Sequence, residues 1–228
     1  MSLQVWLPFI DSPTKNLGAY YTDITNNNVS LATGGKIANN CADFSKGDYI
    51  KLSNTSQLFN NNTKAISLSF WFKTTENDNM CFFCDRTDTG KGLALFKLKN
   101  QFRFDTANTS YHTTFDCNGT YPTWTHFCFT WDGINKKMYV NGTLIKTAKS
   151  QVALTNVGNN ITIGASVSNT NASITSVNNQ LIGQLADYRI YDHVLSTLEV
   201  KELSQGLAIH YTFNDVLYEP TTNYLIYP

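Results

Sequence analysis

Residues 124–147 read WTHFCFTWDGINKKMYVNGTLIKT, and the fold turns on them. Trp124 to Trp131 is aromatic and β-branched, and it stops at Asp132-Gly133, a pair that accepts the positive φ of a hairpin turn. Lys136 to Val140 forms a second strand. Asn141-Gly142 is the strongest two-residue hairpin signal, because a type I′ turn needs positive φ at both central positions, and Thr143 to Thr147 returns as a third strand. The unit is a β-meander. Alternation puts Phe127, Phe129 and Trp131 on one face and Trp124, His126 and Cys128 on the other. A strand apolar on both faces must be covered twice, which places it centrally in its sheet.

Working outward, Ile66 to Lys73 (ISLSFWFK) alternates, with Leu68, Phe70 and Phe72 directed to a core. Met80 to Asp85, Leu93 to Lys99, Phe102 to Asp105 and Tyr111 to Phe115 read as further strands separated by turn signals. Cys41 to Leu52 reads as a hairpin about Ser45-Lys46-Gly47-Asp48, and Leu3 to Phe9 as a short strand stopped near Pro8. Ile161 to Gly164 and Leu181 to Tyr191 follow. In the latter, Leu185 and Tyr188 fall on opposite faces of a regular strand, so a bulge is expected between them. The expected core includes Leu68, Phe70, Phe72, Phe127, Phe129, Tyr139, Tyr188 and Ile190. One helix is marked by the capping box Ser196-Thr-Leu-Glu199, the staple Leu195/Val200 and the terminating Gly206. Many short strands and one late helix make an all-β sandwich.

Lys+Arg and Asp+Glu both total 17, which leaves no basic field for nucleic acid or an anionic membrane surface. No apolar run is long enough for membrane insertion, and Met1 to Ile10 lacks the basic start of a signal peptide, so the expected site of synthesis is a cytoplasm. The five cysteines, an odd number, fit that compartment better than a disulfide framework. Cys81-Phe-Phe-Cys84 has zinc-ligand spacing, but on a regular strand the two sulfurs point to opposite faces, and both thiols are read as buried small hydrophobes.

The blocks around Trp71, across Trp124 to Ile145 (Trp-x-His, Asp-Gly, Tyr-Val-Asn-Gly) and across Gly183 to Leu203 (Arg-Ile-Tyr before a capped helix) resemble the laminin-G-like, concanavalin A-like jelly roll. More narrowly, Gly35-Lys36-Ile37, Asp43-Phe44-Ser45, Tyr188 to His193, Leu207 to Tyr211 and Glu219 to Asn223 are similar to modules in virion and tail proteins of phages of gut bacteria. That resemblance implies a concanavalin A-like (laminin-G-like) β-sandwich with one short C-terminal helix. It implies a non-enzymatic binding or decoration module of a virion, whose partners are other virion structural proteins, its own copies or a cell-surface glycan. A stand-alone glycan-binding lectin is the second reading and a carbohydrate-active enzyme the third.

A glycosidase on this fold needs two carboxylates across a cleft. The glutamates are Glu76, Glu199, Glu202 and Glu219, and none falls within a strand, so no enzyme is expected and no catalytic residue is named. No cofactor is expected; calcium is the usual ion of the family that the chain resembles, and Asp43 and Asp187 are its candidate ligands. Ala186 stands where the family often has another aspartate, and Asp187 has Arg189 two residues on as an alternative partner. For sugar, exposed aromatic platforms are expected at Tyr20, Tyr21, Tyr111 and Tyr121, in or beside loops rich in Asn and Asp. The chain divides into a sandwich over residues 1–206 and an extension over 207–228. In the extension, Leu207 to Asp215 echoes Leu3 to Asp11, and Tyr218, Leu225, Ile226 and Tyr227 are candidate assembly contacts.

Overall fold

A computed structural model describes residues 2–59, 63–88, 91–106, 112–149, 154, 158–166 and 178–206. The extension beginning at Leu207, with Tyr218, Leu225, Ile226 and Tyr227, and also Tyr111, lie outside the described residues. The strands are β1 (Leu3–Leu7), β2 (Ile24–Asn27), β3 (Ser30–Thr33), β4 (Asn40–Phe44) and β5 (Tyr49–Ser53). Then come β6 (Ile66–Thr74), β7 (Asn79–Asp88), β8 (Lys91–Leu98), β9 (Gln101–Asp105) and β10 (His112–Asp116). The last are β11 (Tyr121–Trp131), β12 (Asn135–Val140), β13 (Thr143–Lys149), β14 (Asn160–Ile163) and β15 (Gly183–Tyr191), before helix α1 (Thr197–Ser204).

Two antiparallel sheets form. The first runs β13-β12-β11-β6-β15-β4-β3, with β1 added to β15, and the second runs β10-β9-β8-β7-β14-β5-β2. The meander of residues 124–147 becomes β11, β12 and β13, closed at Asn141 (φ 48°) and Gly142 (φ 77°), as the I′ signal requires. At its other turn Asp132 Oδ1 accepts from the amides of Ile134 (2.9 Å) and Asn135 (2.5 Å). These bonds fix the turn.

Between the sheets lies an aromatic core. Phe70 of the first sheet stacks on Phe82 of the second with centroids 4.9 Å apart, while Phe102 meets Phe127 at 4.9 Å and Phe129 at 5.1 Å. The buried Tyr188 hydroxyl donates to the Phe82 carbonyl at 2.9 Å and so ties the sheets together. Leu185 and Tyr188 do share the core, because the β6/β15 register shifts between Ala186 and Arg189 and Asp187 takes a left-handed φ of 51°. On the opposite face of the first sheet, Leu195, Val200 and Leu203 of the helix region cover Cys128, Tyr139 and Tyr191. The capping box is complete, with Ser196 Oγ accepting from Glu199 N (3.2 Å) and Glu199 Oε2 from Ser196 N (2.7 Å).

Four expectations need correction. Residues 41–52 are not a hairpin: β4 lies in the first sheet and β5 in the second, so the turn at Ser45–Asp48 crosses the sandwich. Tyr139 is buried under the helix rather than between the sheets, because β12 directs Met138 inward and Tyr139 outward. Tyr121 is not a surface platform, since its ring packs against Phe72 and Phe127 in the core and its hydroxyl accepts from Asn118 N at 3.1 Å. Cys81 and Cys84 share one face, because a register shift between Cys81 and Phe83 turns both Phe82 and Phe83 inward.

Asp85 is one of the inward-facing groups that depart from the apolar pattern. Asp85 on β7 stands opposite Leu93, fully buried, and burial first and then Cys84 push its carboxyl well above the ordinary range, against the Gly158 amide. A carboxyl whose folded pKa exceeds its unfolded value gives stability that is full below pH ~3.8 and is lost as pH rises toward the folded pKa. Asp85→Asn is therefore expected to match the wild type near pH 3 and to exceed it increasingly above pH ~4. Urea midpoints measured from pH 3 to pH 8 check this, and parallel curves for the two proteins would remove the assignment.

Candidate functional site

The connection from β1 to β2 builds an open cleft that carries aromatic side chains. Its anchor is Asn16, whose Oδ1 accepts from Trp6 N (2.8 Å) and Gly18 N (2.9 Å) and whose Nδ2 donates to Tyr20 O (2.7 Å). Backbone bonds from Leu17 to Trp6 O, Ala19 to Leu3 O and Tyr20 to Gln4 O lay the loop along β1. Gly18 is required for this approach, since a Cβ there would stand 2.3 Å from Gln4 O. Tyr20 then turns inward onto the core, and its hydroxyl donates to Asn54 O at 2.7 Å. Tyr21, the next residue of the loop, is 89 % exposed.

Beside these two rings lies a cleft of about 380 Å³, lined also by Thr14, Asn16, Gly18, Ala19, Thr22 and Ile24. No charged side chain lines it. An open tyrosine face over a neutral, polar cleft suits the apolar face of a pyranose ring. The structure thus brings Tyr20 and Tyr21 together and assigns them unequal parts, one a wall of the cleft and the other a free platform. Asn16 and Gly18 were not singled out by sequence reasoning. An Asn two residues before a Gly is a recognisable loop-turn signal, but it does not reveal which backbone the side chain will hold.

The candidate calcium ligands do not fit such an ion. Asp187 Oδ1 accepts from Trp6 Nε1 (2.7 Å) and Arg189 Nε (2.9 Å), and Arg189 lies over the Trp6 ring at 4.6 Å. Burial opposes the Arg189 charge, yet Asp187 and Tyr191 outweigh it and hold that guanidinium above its ordinary pKa. This carboxylate is committed to a cation already. Asp43 sits on β4 opposite Gln184 and Ser30, and among the described residues no three His, Cys, Asp or Glu side chains gather as metal ligands.

Several other carboxylates hold the fold together. Arg86 and Arg103 both grip Asp105, Asp48 Oδ2 accepts from Ser45 N at 2.7 Å, Asp132 closes its turn and Glu199 caps α1. His126 shares a 2.9 Å hydrogen bond with Ser69 Oγ and packs on Trp71, and burial, helped by the Arg189 charge, lowers its pKa to about 3. It is a neutral structural imidazole. No described helix is long and apolar enough to cross a membrane.

Residues 44–201 match the laminin G-type family model described as the concanavalin A-like lectin/glucanases superfamily, and the chain belongs to that family. No curated protein matches it. Among solved structures, the botulinum neurotoxin serotype D/C VPI 5993 binding domain aligns with a TM-score of 0.68 at 18% identity, covering 90% of this chain and 51% of that one. The receptor binding domain of the botulinum neurotoxin C/D mosaic serotype gives a TM-score of 0.68 at 14% identity, covering 90% and 51%. The botulinum neurotoxin DC binding domain in complex with rat synaptotagmin II gives 0.66 at 16%, covering 90% and 50%. The chain thus spans about half the length of these structures, and the likeness is one of fold.

Proposed function

We propose that the chain acts by binding rather than catalysis, as an attachment or decoration module of a phage-type virion that touches a cell-surface glycan at the Tyr21 cleft. The observation that carries the binding reading is Tyr21 itself: an aromatic ring 89 % exposed beside a cleft of about 380 Å³, on a loop tied down by Asn16. The ring is fully available to stack on a ligand. The rigid base lowers the ordering cost of binding. The virion placement is supported by the likeness of the segments around Asp43, Tyr188 and Leu207 to phage modules, with assembly in the host cytoplasm as its corollary. The belonging to a superfamily of lectins and glucanases, and the binding domains among its structural neighbours, are in keeping with a glycan or receptor as target.

Tyr21→Ala is expected to weaken retention on the recognised glycan at least tenfold, since loss of a stacking ring removes more than ~1.4 kcal/mol, while the melting temperature stays within about 1 °C. A glycan array probed with both proteins decides. Equal binding by the two moves the site elsewhere. Native particles separated on a density gradient test the placement: co-sedimentation supports the virion role, and a wholly soluble protein retained by glycan resin supports the stand-alone lectin. Release of reducing ends from a polysaccharide panel, abolished by an Asp substitution, would replace the binding reading with an enzymatic one.

A further inference from the structure

The Cys81/Cys84 pair takes no part in the cleft, and its geometry is not that of ordinary alternation. Cys81 faces Phe96 and Cys84 faces Ala94 on β8, with one extra residue accommodated between Cys81 and Phe83. Both Phe82 and Phe83 therefore enter the core, and both thiols emerge on the outer side of the second sheet in one cluster with Ala94 and Phe96. Burial first and then the neighbouring Cys84 push the Cys81 thiol up, and the Arg86 guanidinium, 4.8 Å over the Phe96 ring, opposes them. Arg86 and Arg103 share the single carboxylate of Asp105, so the immediate surroundings carry one positive charge in excess. Ala94, the smallest side chain of the cluster, stands directly opposite Cys84.

We propose that Cys81 and Cys84 are a modification site, a vicinal dithiol that closes to an intramolecular disulfide on exchange with a low-molecular-weight disulfide such as oxidised glutathione. One thiol loses its proton, and the thiolate attacks a sulfur of the oxidant to give a mixed disulfide and one molecule of reduced thiol. The second thiol, likewise deprotonated, attacks the protein sulfur of that mixed disulfide and expels the second molecule of reduced thiol. Two protein thiols and one small disulfide thus become one protein disulfide and two small thiols. In the closed sheet burial and the neighbouring Cys84 push the Cys81 thiol well above its ordinary pKa, with the Arg86 charge opposing them only in part, so the attacking thiolate forms when the strand opens. Both thiols are fully buried, so the exchange proceeds through local opening of β7 and is slow. Once closed, the bond bridges the bulge and fixes the kink in a central strand of the second sheet.

The test uses the full chain, held for hours with oxidised glutathione, then denatured and alkylated. The denatured reduced chain presents five thiols, and after oxidation three are expected, with a loss of two hydrogens located by non-reducing peptide mass spectrometry to the Cys81–Cys84 segment. Dithiothreitol should restore all five, and Cys84→Ser should present four thiols before and after. Five alkylated thiols in the oxidised wild type, glutathione retained on either cysteine as the final product, or a bond from Cys81 to Cys41, Cys117 or Cys128 would each overturn the proposal. Loss of two thiols in Cys84→Ser would overturn it as well.

Discussion

Phe129→Ala is expected to lower the unfolding free energy by about 3–5 kcal/mol, through lost transfer energy and a cavity that cannot collapse. Phe129 is fully buried and lies within 6.5 Å, centroid to centroid, of Phe70, Phe102, Phe104, Phe115 and Phe127. Three strands besides its own supply four of those five neighbours, so no single side chain can move in to fill the space. Equilibrium urea unfolding measures the effect. A cost under ~1 kcal/mol would place Phe129 outside the core and refute the register of β11.

Lys136→Met is expected to stabilise the protein at neutral pH by up to about 3 kcal/mol, less what the lost hydrogen bond contributes. Lys136 lies on β12 in register with Trp131 and points into the sandwich, where its Nζ donates to Phe104 O at 2.9 Å over the Phe104 ring. Burial lowers its pKa from 10.5 to about 8, with Asp105 pulling weakly the other way. A lysine whose folded pKa is depressed costs stability in full below pH ~8, and the cost disappears as pH rises to ~10.5, where the unfolded chain also loses its proton. The advantage of the methionine variant should therefore be largest at pH 7 and shrink across that window. Denaturation midpoints for both proteins from pH 7 to pH 10.5 test the sign. A methionine variant less stable than the wild type at pH 7 would mean that the ammonium's partners outweigh its burial.

The sequence carried the strands well, and the reasons are local. Asn141-Gly142 turns where both residues take positive φ, and Ser196/Glu199 cap α1, because each signal depends on a few neighbouring backbone groups and not on the rest of the chain. Even the bulge at Asp187 was legible, since Leu185 and Tyr188 could not otherwise share a face. The candidate site was legible only in part. Tyr20 and Tyr21 meet at the cleft, but Tyr121, equally aromatic and equally close to a turn, is taken into the core by Phe72 and Phe127. Calcium ligation by Asp187 gives way to Arg189 and Trp6, and the Trp6 contact joins residues far apart in the chain.

By itself, then, the sequence determined which segments are extended, which turns join β11, β12 and β13, and which faces of those strands are apolar. It did so because side-chain alternation and turn conformation are properties of adjacent residues. Only the tertiary structure decided that Ser45–Asp48 crosses between sheets, that Tyr139 lies beneath a helix, that Cys81 and Cys84 share a face, and that Lys136 and Asp85 point inward. A period of two assigns side chains to opposite sides of a strand, but where both sides of a sheet are covered it does not distinguish inside from outside, nor name the neighbouring strand. That choice is made by long-range packing, in which one extra residue at a bulge redirects every side chain beyond it.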